Sequence, residues 1–187
     1  MWGFLMTEQL KKDLIFIKSS VDELETYLLS EDVIRQLPGI SISVGGILLA
    51  NKRISSANLE DQVFTDWKAL EEIHSHWKTA WGNKCLLEMK MRLRQWGDFI
   101  LGMASDKHES SSAYRHQVRN RVILQLLEES IPSQAEVFTE SIKRKDAILQ
   151  KYSVDNDFVW EEEVISGFPR EKYWYLYRIM KYDKANS

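Results

Sequence analysis

The chain has 187 residues, 44% of them hydrophobic and 28% charged, the proportions of an ordinary soluble globular protein long enough to bury a core without a covalent staple. Its single cysteine, Cys85, excludes an intramolecular disulfide and a cysteine-based zinc site, while three prolines and eight glycines are too few for an all-β fold rich in tight turns. A net charge of −3 gives the whole molecule no pull towards nucleic acid or an anionic membrane.

Met1 to Met6 is apolar but too short for a signal-peptide core, and no cation precedes it. The longest internal apolar run, Gly45 to Ala50, falls far short of the roughly 20 residues that span a bilayer. A soluble, cytoplasmic protein with no membrane partner is expected.

From Thr7 to Leu29 the residues Leu10, Leu14, Ile17, Val21, Leu24 and Leu28 recur at steps of three and four, one stripe of an amphipathic helix capped by Thr7 and ended near Ser30. Leu37-Pro38-Gly39 marks a turn. Ile40 to Val44 alternates with period two, yet it has no obvious partner strand. The favoured reading is a helix capped by Ser43, with Gly45 and Gly46 in its first turn.

The longest stripe begins at Val63 and runs through Trp67, Leu70, His74, Trp77, Trp81, Cys85, Met89, Leu93, Trp96 and Ile100 to Met103. With Asn58 as its cap, it predicts one unusually long helix over about 58–104. Unbroken, that helix would measure about 70 Å, against a diameter near 40 Å for a compact domain of this length. It therefore bends near Gly82, or the molecule is elongated and forms a homodimer.

After a polar loop at Ser105 to Ser111, a helix from Ser112 to Ile131 is apolar on every side around Val122, Ile123, Leu124, Leu126 and Leu127, as a central bundle helix is. Pro132-Ser133 opens the next, whose face is Ala135, Phe138, Ile142, Leu149 and Tyr152. Val154 to Asn156 reads as a linker to an aromatic tail with Tyr173, Trp174, Tyr175, Tyr177 and Tyr182. The expected fold is all-α: one domain over 1–187, a bundle of five to six helices with essentially no β-sheet and its segment 154–187 docked on the bundle.

No nucleophile elbow, phosphate loop or cofactor motif is present, so no catalytic residue and no cofactor is expected. Glu71 and His74 form one Glu-x-x-His pair, half of what a bundle metal site uses, with Glu88 a candidate for a further ligand. They carry the alternative of a metal-dependent enzyme.

The most distinctive feature is a polar and aromatic flank on the long helix: Trp77, Trp81, Lys84, Glu88, Arg92, Gln95 and Phe99. Arg115 and Arg119, with Tyr114 and Arg121, face it from the next helix. The plainer reading is a structural ladder in which Lys84, Glu88 and Arg92 pair in series and their stems cover Trp. The functional reading is a pocket for a small anionic or planar ligand, with Trp77 and Trp81 as walls and Lys84, Glu88, Arg92, Arg115 and Arg119 as polar contacts.

Eight basic residues (Lys84, Lys90, Arg92, Arg94, Lys107, Arg115, Arg119, Arg121) stand against four acids between Lys84 and Arg121, which keeps an RNA-binding surface as a further alternative, though nucleic acid is disfavoured. The leading expectation is a non-enzymatic helical bundle that binds a protein partner or a small ligand.

Overall fold

The computed structural model describes residues 6–104 and 111–181. The readings of Met1 to Leu5, of the loop around Ser105 to Ser110 and of Tyr182 lie outside them.

The fold is all-α: among the described residues six α-helices dominate, joined by two short two-stranded sheets and three 3-10 turns. Helix α1 (Glu8–Leu29) has Leu10, Leu14, Ile17, Leu24 and Leu28 buried on the expected stripe. Thr7 accepts from the Leu10 N–H at its start, and Ser30 closes its end. None of the helices is long and apolar enough to cross a membrane, among the described residues.

Strands β1 (Arg35–Leu37) and β2 (Ile40–Ile42) form an antiparallel hairpin around Pro38-Gly39. Gly39 takes a φ of +83°, which a side chain would strain. The alternation at Ile40 therefore is a strand, and its partner is Arg35–Leu37. The expected helix follows at once: Ser43 caps α2 (Val44–Ser56) and accepts from the Gly46 N–H.

The long helix is present but shorter than the stripe implies. Residues Glu60–Gln62 form a 3-10 turn, α3 covers Phe64–His76, and α4 covers Lys78–Ala104. Asn58 is no N-cap: its φ of +55° places it in the left-handed region just after α2. The break falls at Trp77, where ψ of 35° replaces the helical value, while Gly82 lies inside α4. One straight axis would not let α3 pack on α1 and α4 pack on α5 and α6, and the bend at Trp77 serves both.

Helix α5 (Ser111–Ser130) buries Val122, Ile123, Leu124, Leu126 and Leu127, as its all-round apolar sequence requires. Helix α6 (Pro132–Tyr152) begins with Pro at its first position and buries Ala135, Phe138, Ile142 and Leu149. The expected linker is a strand instead. β3 (Ser153–Asp155) pairs antiparallel with β4 (Arg178–Met180), and Arg178 reinforces the pair by donating to the Ser153 carbonyl at 2.9 Å. Between those strands Phe168, Tyr173, Tyr175 and Leu176 are fully buried.

Helix α2 touches α1, α4, α5 and the 3-10 turn at Glu162–Gly167, so its first turn sits deep in the bundle. A Cβ on Gly45 would lie 2.3 Å from Ile123 Cγ2 and 2.8 Å from Glu88 Oε1. Gly45→Ala is therefore expected to cost about 1–3 kcal/mol through overpacking, seen as a lower denaturant midpoint at unchanged slope. An unchanged midpoint would mean that α2 does not approach α5 so closely.

Candidate ligand-binding cleft

Glu88 projects from α4 towards the first turn of α2 and is fully buried. It accepts from the Gly45 N–H at 2.7 Å, from the Ser43 hydroxyl at 2.9 Å and from Arg92 at 3.0 and 3.1 Å. The positive end of α2, which would otherwise suit an outside anion, is thus filled by a carboxylate of the chain itself. Arg92, one turn along α4, also donates to Asn120 Oδ1 at 3.1 Å, and Asn120 donates to Gln117 at 3.1 Å.

A second buried ion pair joins α1 to α2. Arg53 donates to Asp13 at 2.7 Å and to Glu161 at 3.0 Å, and its guanidinium lies 5.3 Å from the Trp160 ring centre. Burial raises the Asp13 carboxyl, opposed by Arg53 and by the hydrogen bond from Gln9. Burial also acts upward on Glu161, but its own backbone N–H, Arg53 and Arg115 together hold it below the usual carboxylate value. Arg115 reaches the same Glu161 at 3.3 Å.

Arg119 stands between these two clusters. Its guanidinium makes no hydrogen bond or ion pair with any described residue, although its close neighbours include Asp13 and Glu88. Both acids are already held, Asp13 by Arg53 and Glu88 by Arg92. Four guanidiniums (Arg53, Arg92, Arg115, Arg119) face three carboxylates (Asp13, Glu88, Glu161), which leaves one cation over, and it is Arg119. Burial, then the charges of Arg92 and Arg53, push its basicity below the ordinary arginine value. The side chain is nevertheless open to solvent, as a group crowded by protein but lining a hollow must be.

That hollow has a volume of about 760 Å³. The β1–β2 hairpin contributes Gln36 and Ser41 to its wall, α2 contributes Gly46, α4 contributes Arg92 and Phe99, and α5 contributes Arg119 with the amides Gln117 and Asn120. Asp98 sits on the exposed rim, 3.9 Å from Arg94. Two guanidiniums, several amides and hydroxyls and one aromatic edge can bind an oxyanion and hydrogen-bond the polar atoms around it.

Of the residues expected to form a pocket, Arg92 and Arg119 line this hollow. Glu88 lies buried behind Arg92, Arg115 pairs with Glu161 in a separate hollow, and Trp77, Trp81 and Lys84 lie away from it. Trp77 marks the bend before α4; Trp81 is buried against His74, ring centres 4.4 Å apart, and donates to Ser130 at 3.1 Å. Lys84 does not pair with Glu88 but donates to the Ser30 carbonyl at 2.8 Å and caps the end of α1, its ammonium 4.7 Å from the Tyr27 ring. The lining also includes polar residues from the hairpin and α5 that the sequence reading did not select.

The residues of the metal alternative lie elsewhere. Glu71 accepts from the Trp67 indole at 2.9 Å, and His74 stacks on Trp81. Among the described residues no group of three His, Cys, Asp or Glu is placed to hold a metal ion. The basic segment is largely used inside the fold: Arg121 makes two bonds of 2.9 Å to Asp146 and lies over Tyr175, and Arg92, Arg115 and Lys84 are engaged as above.

Comparison with protein-family models, with curated proteins and with solved structures gives no match.

Proposed function

We propose that the protein binds a small oxyanion in the cleft between the β1–β2 hairpin, α4 and α5, with Arg119 as its principal anchor and Arg92 beside it. The observation that carries this reading is the surplus cation: Arg119 is held between Arg92 and Arg53, unpaired, at the wall of a hollow of about 760 Å³. Such a volume is within the usual range for small-molecule sites. A guanidinium kept beside two others raises the self-energy of the empty protein, and an incoming anion relieves it.

The test is calorimetric titration with inorganic phosphate at low ionic strength, where screening is weak. Arg119→Gln is expected to weaken binding at least about tenfold, the loss typical of one charge-assisted contact. Its melting temperature should equal or exceed that of the wild type, because a like charge beside Arg92 and Arg53 is gone. Unchanged phosphate affinity in Arg119→Gln, or no binding by the wild type, would overturn the reading.

A further inference from the structure

The cleft does not end at Arg119. On the other side of that side chain a second hollow of about 440 Å³ runs between α1 and the hairpin. Arg119, Ser41 and Gly46 line both hollows, so the two meet at the guanidinium. Their walls differ in chemistry. The first presents amides and hydroxyls, whereas the second is walled by Ile15, Phe16, Ile40 and Ala50, with Lys12 and Asp13 among its polar members. Ile15 is 60% exposed, a large aliphatic left in water on a helix that buries its other leucines and isoleucines up to the exposed Leu29 at its end. Isolated exposed apolar residues need no explanation, but here one lines a groove beside an unpaired cation.

Gly46 stands at the junction. A Cβ there would lie 3.1 Å from Ser43 Oγ and 3.4 Å from Phe16 Cζ, which would narrow the passage between the hollows. The backbone itself is ordinary helix at this position, where alanine is the better helix former by about 1 kcal/mol.

We infer that the ligand is an amphipathic oxyanion: its charged group sits on Arg119 and a short aliphatic or aromatic portion lies in the groove between α1 and the hairpin. This rests on the anion-binding reading above and adds the chemical class of the ligand. The two walls meeting at one cation suit a molecule with a charged end and an apolar body. A purely polar anion would leave Ile15, Phe16 and Ile40 uncovered.

The experiment is calorimetry with inorganic, methyl, butyl and hexyl phosphate, each below its micelle concentration, on the wild type, Arg119→Gln, Ile15→Ser and Gly46→Ala. Affinity is expected to climb with chain length, by up to about fourfold for each fully buried methylene. Ile15→Ser should flatten that climb while leaving inorganic phosphate affinity within about twofold, and Gly46→Ala should flatten it as well. Ile15 is exposed, so its variant keeps the fold even if the glycine variant does not. A flat series in the wild type, with phosphate still bound and still lost in Arg119→Gln, would overturn the amphipathic class alone. A climb untouched by both wall variants would place the chain elsewhere and overturn it equally. No binding of any member, or binding indifferent to Arg119→Gln, would overturn the anion site beneath it.

Discussion

Raising the pH from 9 to 11 is expected to unfold the protein. Burial pushes the Cys85 thiol from 9.0 up to about 12, and it pushes the hydroxyls of Tyr27, Tyr114 and Tyr175 well above their ordinary value of 10.0. All four side chains are 1% exposed or less. Tyr27 donates to the Val33 carbonyl at 2.8 Å and Tyr114 to the Tyr175 carbonyl, bonds that need the proton. The unfolded chain releases these protons near their ordinary values while the native state keeps them. The unfolded state then binds fewer protons, and stability falls as pH rises.

Each group removes about 1.4 kcal/mol per pH unit above its unfolded value. By pH 11 the three tyrosines and Cys85 together remove about 6–7 kcal/mol, comparable with the total stability of about 5–15 kcal/mol usual for a domain. Tyrosinate absorbance and far-ultraviolet circular dichroism, followed on one titration, give the check. The last four tyrosinates, those of Tyr27, Tyr114, Tyr175 and the equally buried Tyr173, should appear only as helix is lost, and a thiol reagent should reach Cys85 only then. Complete tyrosine ionisation with intact helices would show that these hydroxyls are not sealed in the native core.

The helices were readable because their sides face unlike surroundings. The α1 stripe is buried at Leu10, Leu14, Ile17, Leu24 and Leu28, and the apolar ring of α5 fills the bundle centre. The division of the long stripe into α3 and α4 had no local signal. His74-Ser75-His76-Trp77 contains neither glycine nor proline, and the bend answers to which neighbours each half must reach. The strands β1 and β4 were equally silent. Three residues such as Arg35-Gln36-Leu37 carry too little alternation to be seen, and only the partner found in space defines them. Asn58 misled because asparagine suits both an N-cap and the left-handed position after a helix.

The cleft was half legible. Glu88 and Arg92 lie four residues apart on one helix, and that spacing makes them meet. Lys84 has the same spacing to Glu88 but is drawn to the carbonyls ending α1, which helix spacing cannot reveal. The Asp13–Arg53 pair left a trace that spacing contains. Asp13 sits between Leu10 and Ile17 on the apolar face of α1, and Arg53 between Ala50 and Ile54 on that of α2, each a charge at a core position. Gln117 and Asn120 gave no such trace, because amides on a helix look the same in sequence whether or not a hollow lies over them. The surplus of Arg119 is a property of the whole cluster and emerges only once every neighbouring carboxylate is assigned.

Glu88→Ala is expected to destabilise the protein by about 3–5 kcal/mol, the cost of breaking a buried pair from one side. The loss has three sources: the Gly45 N–H and the Ser43 hydroxyl lose their acceptor, and Arg92 loses its charge partner. Glu88→Gln should cost less, since its amide oxygen still accepts one of these bonds, so the order of midpoints is wild type, then glutamine, then alanine. The groups left behind in Glu88→Ala are themselves an anion site: a helix N-terminus, a hydroxyl and a guanidinium arranged around the volume of a carboxylate. Formate should therefore raise the melting temperature of Glu88→Ala by more than that of the wild type, the excess following RT ln(1 + [L]/Kd) for the vacated position. Equal shifts in both proteins would mean that formate does not take the place of the Glu88 carboxylate. An excess confined to the alanine variant would show that the first turn of α2 holds an anion position which the wild type fills with its own Glu88.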